Sequence, residues 1–298
     1  NDTIKGGTSS GDSLVITADN STAANVTLMT GIETITVKAG STASYTTGVT
    51  MGANDTQIAA GTTLTVNAAA LTNSSANFTF SGTSSETDGF LSITGGAGAD
   101  TLTGAAAADT ISGGNGADVI TGGSGADRLT GGSGADKFIY TAVAQSAGST
   151  LDTITDFTSG TDKLQFTLDY SAQTVGVAVN ATIVAAADGL TAAQSALSAE
   201  RGQFVYDTAN SQLYVNVNND NMITSLDYKI NMTAATTAGN TIADGDLNFS
   251  ITGGSGADTI VAGGGADTIS GGATADSIDA GAGSDTINVS IATSGNDT

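Results

Sequence analysis

The chain has 298 residues and a formal net charge of −22, from 29 acidic and 7 basic residues. This charge argues against nucleic acid and anionic membrane surfaces as partners, because both require basic patches. Cys and His are both absent, which excludes disulfide frameworks, thiolate metal sites, Ser-His-Asp triads and imidazole catalysis, and no apolar run is long enough to insert into a membrane.

Residues 1–94 are expected to form a β-rich coil of strands. Short alternating runs indicate strands, and the separators are Gly, Asn, Ser and Thr with no helical period; the runs are SLVIT (13–17), NVTLM (25–29), ETITVKA (33–39), TLTVNA (63–68) and NFTFSG (77–82). The strands are expected to run directly into the segment that follows. A free-standing β-sandwich is the alternative.

Residues 95–140 form a first block of nonapeptides. The five frames are GGAGADTLT (95–103), GAAAADTIS (104–112), GGNGADVIT (113–121), GGSGADRLT (122–130) and GGSGADKFI (131–139). Asp holds the sixth place of every frame, and Leu, Ile or Phe holds the eighth. The frame at 104 is degenerate, because Ala105 and Ala107 replace glycines.

Residues 141–250 are predicted to be a small β domain with its own aromatic core. DTITDFTSGTDKLQF (152–166) indicates strand, turn, strand, and QFVYDTANSQLYVNV (203–217) indicates a hairpin. GLTAAQSALSAERG (189–202) is the one predicted helix. Asp156 and Asp162 either add metal ligands at the end of block one or cap a turn.

Residues 251–298 hold the second block of nonapeptides. Its frames are GGSGADTIV (253–261), AGGGADTIS (262–270), GGATADSID (271–279) and AGAGSDTIN (280–288), with Thr274 in place of a glycine. Partial frames also stand at both ends of the sequence, where Asp2 lies in NDTIKGG and Asp297 in SGNDT. Either a longer array is interrupted here, or each end completes a turn against a neighbouring subunit in head-to-tail assembly.

The nine frames follow the pattern GGxGxDxUx, where U is a large apolar residue. This pattern resembles the RTX (haemolysin-type) calcium-binding repeat, whose fold is a parallel β-roll. GADKFIYTAVAQS, LDTITDF, GTDKLQF and QFVYDTANSQLYV resemble the segment that follows these repeats in secreted bacterial RTX proteins. The resemblance implies export by a one-step secretion system and folding in external calcium. GIETITV (31–37), NAAALTN (67–73) and residues 80–104 resemble the β-rich body of RTX-type bacterial surface-layer proteins, in which calcium drives self-assembly.

Elementary geometry accounts for the period of nine. Asp-x-U is a three-residue strand with U pointing inward, and the glycines reverse the chain. Two nonapeptides make one coil, so each turn stacks on the turn two frames away: 95 with 113, 113 with 131, 104 with 122, 253 with 271 and 262 with 280. The predicted fold class is therefore all-β, with parallel β-roll repeats in two blocks, a β-rich N-terminal segment and an intervening small β domain with one helix.

Stacking places each Asp beside glycine carbonyls two frames away, and Ca²⁺ prefers six to eight such oxygen ligands. We therefore expect several Ca²⁺ ions, and folding coupled to their binding. The predicted carboxylate ligands are Asp100, Asp109, Asp118, Asp127, Asp136, Asp258, Asp267, Asp276 and Asp285, with Asp2 and Asp297 at the ends. The predicted glycines are Gly95, Gly98, Gly113, Gly116, Gly122, Gly125, Gly131, Gly134, Gly253, Gly256, Gly265 and Gly283.

These features favour a secreted bacterial structural protein over an enzyme. Only Glu33, Glu86 and Glu200 are available as glutamates, and most Asp residues belong to the repeats, so a glycosidase-type carboxylate pair is not expected. The expected function is calcium-dependent self-assembly into a surface layer or extracellular filament. Its partners would be copies of itself and calcium, with cell-surface glycan as a further candidate. The alternative is a calcium-folded stalk or secretion module of a larger adhesin or exoenzyme.

Overall fold

A computed structural model describes most of the chain. It covers residues 3–5, 11–18, 28–39, 46–50, 58–82, 86–172, 178–180, 183–186, 204–207, 210–217, 227–232 and 242–289. The chain divides into two compact units. Unit 1 comprises residues 1–139 with 149–157, and unit 2 comprises residues 140–148 with 158–298.

The first fourteen strands lie in unit 1, apart from the last residue of the thirteenth. They are β1 (Thr3–Lys5), β2 (Ser13–Ala18), β3 (Leu28–Thr30), β4 (Thr34–Ala39), β5 (Thr46–Thr50), β6 (Thr63–Asn67), β7 (Asn77–Ser81), β8 (Phe90–Thr94), β9 (Thr101–Thr103), β10 (Thr110–Asn115), β11 (Val119–Thr121), β12 (Arg128–Ser133), β13 (Lys137–Tyr140) and β14 (Thr153–Ile154).

The strands of unit 1 form a parallel coil. One sheet takes β2, β4, β6, β8, β10, β12 and β14, and the other takes β5, β7, β9, β11 and β13. Every neighbouring pair in these two series is parallel. Since successive strands alternate between two parallel sheets, each circuit of the chain adds one strand to each sheet. This pairing excludes the sandwich alternative, because hairpin-connected sandwiches are antiparallel.

The register between neighbouring strands shows the length of each circuit. Ile93 pairs with Ile111 and Ile111 with Leu129, so these circuits are two nonapeptides long. The predicted stacking of turns two frames apart is thus confirmed within block one. The preceding circuits are longer, as the pairing of Thr34 with Thr65 shows. The strands β10 and β12 are longer than the three residues predicted, because turn residues such as Gly114 also pair across the coils.

The core of the repeats consists of the eighth-place residues. Strand alternation turns them inward, and each is at most 1 % exposed; they are Leu102, Ile111, Ile120, Leu129 and Phe138. Earlier circuits bury Val66, Phe78 and Ile93 in the same way. Apolar side chains stacked at the strand spacing of about 4.8 Å therefore fill the interior of unit 1.

Unit 2 contains the remaining strands and two 3₁₀ helices. The strands are β15 (Lys163–Asp169), β16 (Ala178–Asn180), β17 (Ile183–Ala186), β18 (Phe204–Asp207), β19 (Gln212–Val215), β20 (Tyr228–Met232), β21 (Leu247–Thr252), β22 (Thr259–Val261), β23 (Thr268–Ser270), β24 (Ser277–Asp279) and β25 (Thr286–Asn288). The 3₁₀ helices are Val143–Gln145 and Asp244–Asp246.

The second roll belongs to unit 2 and is interrupted by an insertion. The parallel series are β15-β21-β23-β25 and β16-β22-β24. Ile251 pairs with Ile269, two nonapeptides away, whereas its partner on the other side is the distant Leu168. The long circuit between Leu168 and Ile251 accommodates β17–β20, in which β18, β19 and β20 pair antiparallel. This confirms the predicted hairpin at 203–217.

An aromatic cluster forms the core of unit 2. The Phe166 ring lies 5.5 Å from Tyr140 and from Phe204, 5.2 Å from Tyr228 and 6.3 Å from Phe249, measured between centroids. All five side chains are at most 2 % exposed. The insertion strands β18 and β20 therefore bury their rings against the roll strands β15 and β21.

The predicted all-β class and the β-roll repeats are confirmed, with almost no helix in the described residues. The predicted helix at 189–202 lies outside the described residues. The four-segment division stays a prediction. Among the described helices, none has the length and apolar character that a membrane span requires.

Candidate metal centre

Four rows of aspartates follow the edges of the two rolls. Two rows lie in unit 1 and two in unit 2, and their members are Asp100, Asp118 and Asp136; Asp109 and Asp127; Asp258 and Asp276; Asp267 and Asp285. Neighbours in a row are linked by the backbone N–H of the earlier Asp, which donates to Oδ1 of the later one over 2.7 to 3.1 Å. The rows therefore bring together the nonapeptide carboxylates that the sequence predicts.

The other carboxylate oxygen of the repeat aspartates, Oδ2, faces a space beside the first-place glycine of the same frame. Any residue with a Cβ at that place would fill this space. A Cβ added to Gly113 would meet Oδ2 of Asp118 and, at 2.5 Å, the carbonyl oxygen of Gly131 in the next coil. Gly95, Gly104 and Gly253 have the same surroundings, each between its own Asp and the carbonyl of the first-place glycine two frames later. A carboxylate and a carbonyl thus converge beside the first-place glycines.

The repeat turns occur in two backbone forms, which we call closed and open. In the closed form the second residue of the frame donates its N–H to Oδ2 of the Asp, as Ala105 does to Asp109 at 2.7 Å and Gly254 to Asp258 at 2.8 Å. In the open form the second residue has a positive φ, for example +110° at Gly114. The frames at 95, 104 and 253 are closed.

Open turns leave buried carboxylate oxygens without hydrogen bonds. Oδ2 of Asp118, Asp127 and Asp267 has no hydrogen-bond partner among the described residues, and each of these side chains is only 1 % exposed. A buried, unpaired carboxylate oxygen is costly unless a cation or proton neutralises it. The open turns are therefore the better candidates for ion sites.

Burial raises the pKa values of these aspartates. Desolvation raises the pKa of Asp118 to about 7, against the lowering effect of the hydrogen bond from Asp100, while the charges of Asp100 and Asp136 raise it further. Desolvation likewise raises the pKa of Asp127 to about 7 and those of Asp109 and Asp267 to about 6. Stacked like charges in a desolvated row favour either protonation or a bound cation.

The fourth-place glycines allow the coils to approach closely. Gly116 has a φ of +124°, and a Cβ there would collide with the carbonyl oxygen of Gly98. Other predicted glycines lie equally close to a carbonyl of the preceding coil; they are Gly125, Gly134, Gly265 and Gly283. These close approaches place backbone oxygens beside the rows.

The degenerate frames keep the register of the roll. Ala105 and Ala107 are buried, and Thr110 still pairs with Arg128. Thr274 takes a φ of +82°, which is unfavourable for a β-branched residue. The frame at 271 therefore folds like its neighbours at the cost of local strain.

In three of the four rows, the first Asp accepts a hydrogen bond from the backbone N–H of an apolar residue in the preceding coil. The N–H groups of Phe78, Leu91 and Phe249 donate to Oδ1 of Asp100, Asp109 and Asp267 at 2.7 to 2.8 Å. The residue before each Phe is Asn, and the side chains of Asn77 and Asn248 accept the N–H groups of Ala99 and Ala266 at 3.1 and 2.9 Å. The sequence reasoning missed these residues, although the Asn-Phe dipeptide at 77–78 and 248–249 is a visible signal.

The remaining predicted residues lie at turns or outside the described residues. Asp156 accepts the N–H groups of Gly131 and Gly132 at 2.9 and 2.7 Å, and Asp162 accepts that of Thr158 at 2.7 Å, so both cap turns. Gly256 is half-buried in the turn before β22. Asp2 and Asp297 lie outside the described residues.

Calcium fits this set of donors. No group of three or more acidic side chains that could hold a metal occurs in the part of the chain that the structure describes, so an ion here needs backbone carbonyls as well. Hard cations such as Ca²⁺ take carboxylate and carbonyl oxygens together. Both kinds of oxygen are present where a carboxylate and a carbonyl converge beside the first-place glycines. The unpaired Oδ2 atoms of the open turns add further carboxylate oxygens.

Gly113→Ala tests whether the space beside Gly113 is an ion site. The added Cβ would fill the space between Asp118 and Gly131, so we expect weaker calcium binding by block one and a loss of about 1 to 3 kcal/mol in stability. Gly245→Ala is the matched control, because its nearest contact is an ordinary 3.5 Å from the carbonyl oxygen of Gly264. Calcium-dependent thermal unfolding of both variants measures the effect, and equal midpoints would contradict it.

One protein-family model matches the chain. The RTX calcium-binding nonapeptide repeat, a model of four copies, matches residues 92–120, 103–138 and 252–287. No curated protein matches. The two blocks are therefore RTX-type calcium-binding repeats, and calcium is their cofactor, with several ions in each block.

Proposed function

We propose that this protein is a secreted structural protein that folds on calcium and assembles with copies of itself into a surface layer or an extracellular filament. The calcium-binding repeats support the structural role, because their carboxylates and carbonyls serve the stacking of coils. The predicted ligands remain the aspartates and glycines of the two blocks. A site for chemistry on a substrate is not expected.

The end of block two is the observation that supports assembly. Ile269 and Ile260 are at most 1 % exposed, but Ile287, at the same frame position in the last described coil, is 46 % exposed, and Val289 is 56 % exposed. Strand β25 pairs with β23 on one side and with no other strand of the described residues. Within the described residues, an apolar core position and a parallel strand edge are therefore uncovered together.

A second copy is the occupant that best continues such an edge. Open strand edges are templates for pairing with another chain. A coil from a second copy would cover Ile287 and supply a next-coil carbonyl to the turns of Asp276 and Asp285. A head-to-tail contact generates a filament or lattice when its rotation does not close into a ring, and open assembly of this kind is what we propose.

The test is molecular size as a function of calcium. In chelator we expect monomers, and in Ca²⁺ we expect species whose size grows with protein concentration, measured by light scattering and sedimentation velocity. A chain that gains β-structure in Ca²⁺ but stays monomeric at all concentrations would contradict assembly. That result would support the stalk or secretion module instead.

A pair of variants assigns the contact. Ile287→Thr combined with Val289→Thr should abolish assembly and leave calcium binding by block one in place, because neither side chain is a predicted ligand and block one does not depend on this contact. Phe90→Thr is the matched control: Phe90 is also exposed, at 38 %, but it lies in β8, which has a paired strand on each side. Equal assembly by both variants would exclude the end of block two as the contact.

A further inference from the structure

The turn at 104–109 differs from the three turns that follow it in block one. Ala105 and Ala107 stand at its second and fourth places, where the frames at 113, 122 and 131 have glycine. Those three frames are open turns with a positive φ at both places, for example +108° at Gly123 and +127° at Gly125. Neither alanine has a positive φ. The 104–109 turn is therefore closed at both places where the other turns open.

Both carboxylate oxygens of this turn accept backbone hydrogen bonds. Oδ1 of Asp109 accepts the N–H of Leu91 at 2.8 Å, and Oδ2 accepts the N–H of Ala105 at 2.7 Å. In the next turn of the row, Oδ2 of Asp127 is buried and has no hydrogen-bond partner among the described residues. Hydrogen bonds to a buried carboxylate stabilise its charge, as a bound cation does. Asp109 thus has an N–H donor for the oxygen that Asp127 leaves to an ion.

Ala105 holds the turn in this closed form. Opening it would require a positive φ at Ala105, and there a Cβ comes too close to the following carbonyl oxygen, a clash that glycine avoids. The Ala105 side chain is also packed, at 3 % exposed. The other closed turns have Gly96 and Gly254 at the second place, which are free of this restriction. Of the three closed turns, only this one is therefore held closed by a side chain.

The second acidic group beside this turn is also held by the backbone. Glu86 is 1 % exposed, and its carbonyl accepts the N–H of Ala106 at 3.0 Å. Its carboxylate oxygens accept the N–H groups of Ile58 and Gly89 at 3.3 and 3.1 Å. The two carboxylates at this point are therefore both oriented by N–H donors, and neither depends on an ion for a partner.

We propose that the 104–109 turn binds no calcium ion because Ala105 keeps it closed, and that glycine at positions 105 and 107 would convert it into a further ion site. The oxygens for such a site are already present: a Cβ added to Gly104 would lie 2.6 Å from Oδ2 of Asp109 and against the carbonyl oxygen of Gly122. Asp109 is then the exception among the predicted ligands. The proposal rests on calcium binding by the repeats and is independent of assembly.

The first test counts calcium ions per chain by equilibrium dialysis at pH 8, where the Asp109 carboxyl, with a pKa of about 6, is ionised. We expect the double variant Ala105→Gly with Ala107→Gly to bind about one Ca²⁺ more than the unaltered chain. Ala106→Gly with Ala108→Gly is the matched control. It adds two glycines to the same turn at the third and fifth places, where the repeat pattern needs none, so its ion count should not change.

The second test removes carboxylates from the otherwise unaltered chain. Asp109→Asn keeps an oxygen to accept the N–H of Leu91 and should leave the ion count unchanged. Asp118→Asn, in an open turn, should lower the count by about one. Loss of an ion in Asp109→Asn would overturn the proposal. An unchanged count in the double glycine variant would overturn the role of Ala105, and the loss in Asp118→Asn would still report calcium binding by the repeats.

Discussion

Removal of calcium is expected to unfold the repeat turns of block one while the aromatic core of unit 2 persists. Without the ion, the carboxylates of Asp118 and Asp127 are buried beside like charges and keep an oxygen that accepts no hydrogen bond from the part of the chain that the structure describes. The Phe166 cluster has no such requirement, because its aromatic side chains carry no charge. Hydrogen exchange in EGTA should therefore show fast amides in β10 and β11, and slow amides in β19.

Added Ca²⁺ should restore protection of β10 and β11 and increase the far-ultraviolet β signal. Mg²⁺ at the same concentration is the control, since it dehydrates reluctantly and demands octahedral geometry. Equal protection of β10 with and without calcium would show that the roll is stable on its own. It would therefore contradict the coupling of folding to calcium binding.

Calcium binding is expected to tighten steeply between pH 5 and pH 7. The pKa of Asp118 and of Asp127 is about 7 in the metal-free fold, against an ordinary value of 3.8. Calcium must displace the proton from each ligand below that pH. For each proton displaced, the calcium midpoint should fall about tenfold per pH unit as the pH rises toward 7, and then level off.

The stability of the metal-free fold should fall, not rise, as the pH increases. The Asp118 carboxyl has a pKa of about 7 in the fold and an ordinary value of 3.8 when unfolded, so it binds its proton more tightly in the folded state. Its contribution to the free energy of unfolding is therefore complete below pH 3.8 and is lost as the pH rises to about 7. Calcium titrations followed by circular dichroism at pH 5, 6, 7 and 8 measure the first trend, and thermal unfolding in EGTA measures the second.

Proton release gives an internal check on the pH prediction. Calorimetry in buffers of different ionisation enthalpy counts the protons that leave when Ca²⁺ binds. Asp118→Asn should lower this count and Asp88→Asn should not, because Asp88 is exposed and outside the rows. A calcium midpoint that is independent of pH from 5 to 7 would contradict the raised pKa values as the controlling groups.

Strict periodicity makes the roll predictable from the sequence. Asp at the sixth place and an apolar residue at the eighth fix which side chain turns inward, and the period of nine fixes pairing between every second frame. The strands before block one were also predictable from alternation. Their pairing was not, because Thr34 pairs with Thr65 and Thr63 with Phe90, and such unequal circuits leave no constant period to detect.

Asp152 shows where a pattern search stops. The residues Asp152-Thr153-Ile154 contain the Asp-x-U signal, but the preceding spacing breaks the frame, so only three-dimensional stacking assigns them to the row. The Asn-Phe dipeptides at 77–78 and 248–249 are similar. Their role depends on hydrogen bonds to residues of the next coil, which the dipeptide itself does not specify.

The sequence by itself determined the all-β class, the coil of two nonapeptides and the acidic rows, because all three follow from a local repeat that each frame satisfies. Only the tertiary structure decided which turns are open, since the direction of the second N–H depends on φ at positions such as Gly114. It also decided that β17–β20 are inserted within a circuit of the second roll and that Ile287 is exposed. These properties depend on contacts between residues far apart in the chain, where no local pattern determines the outcome.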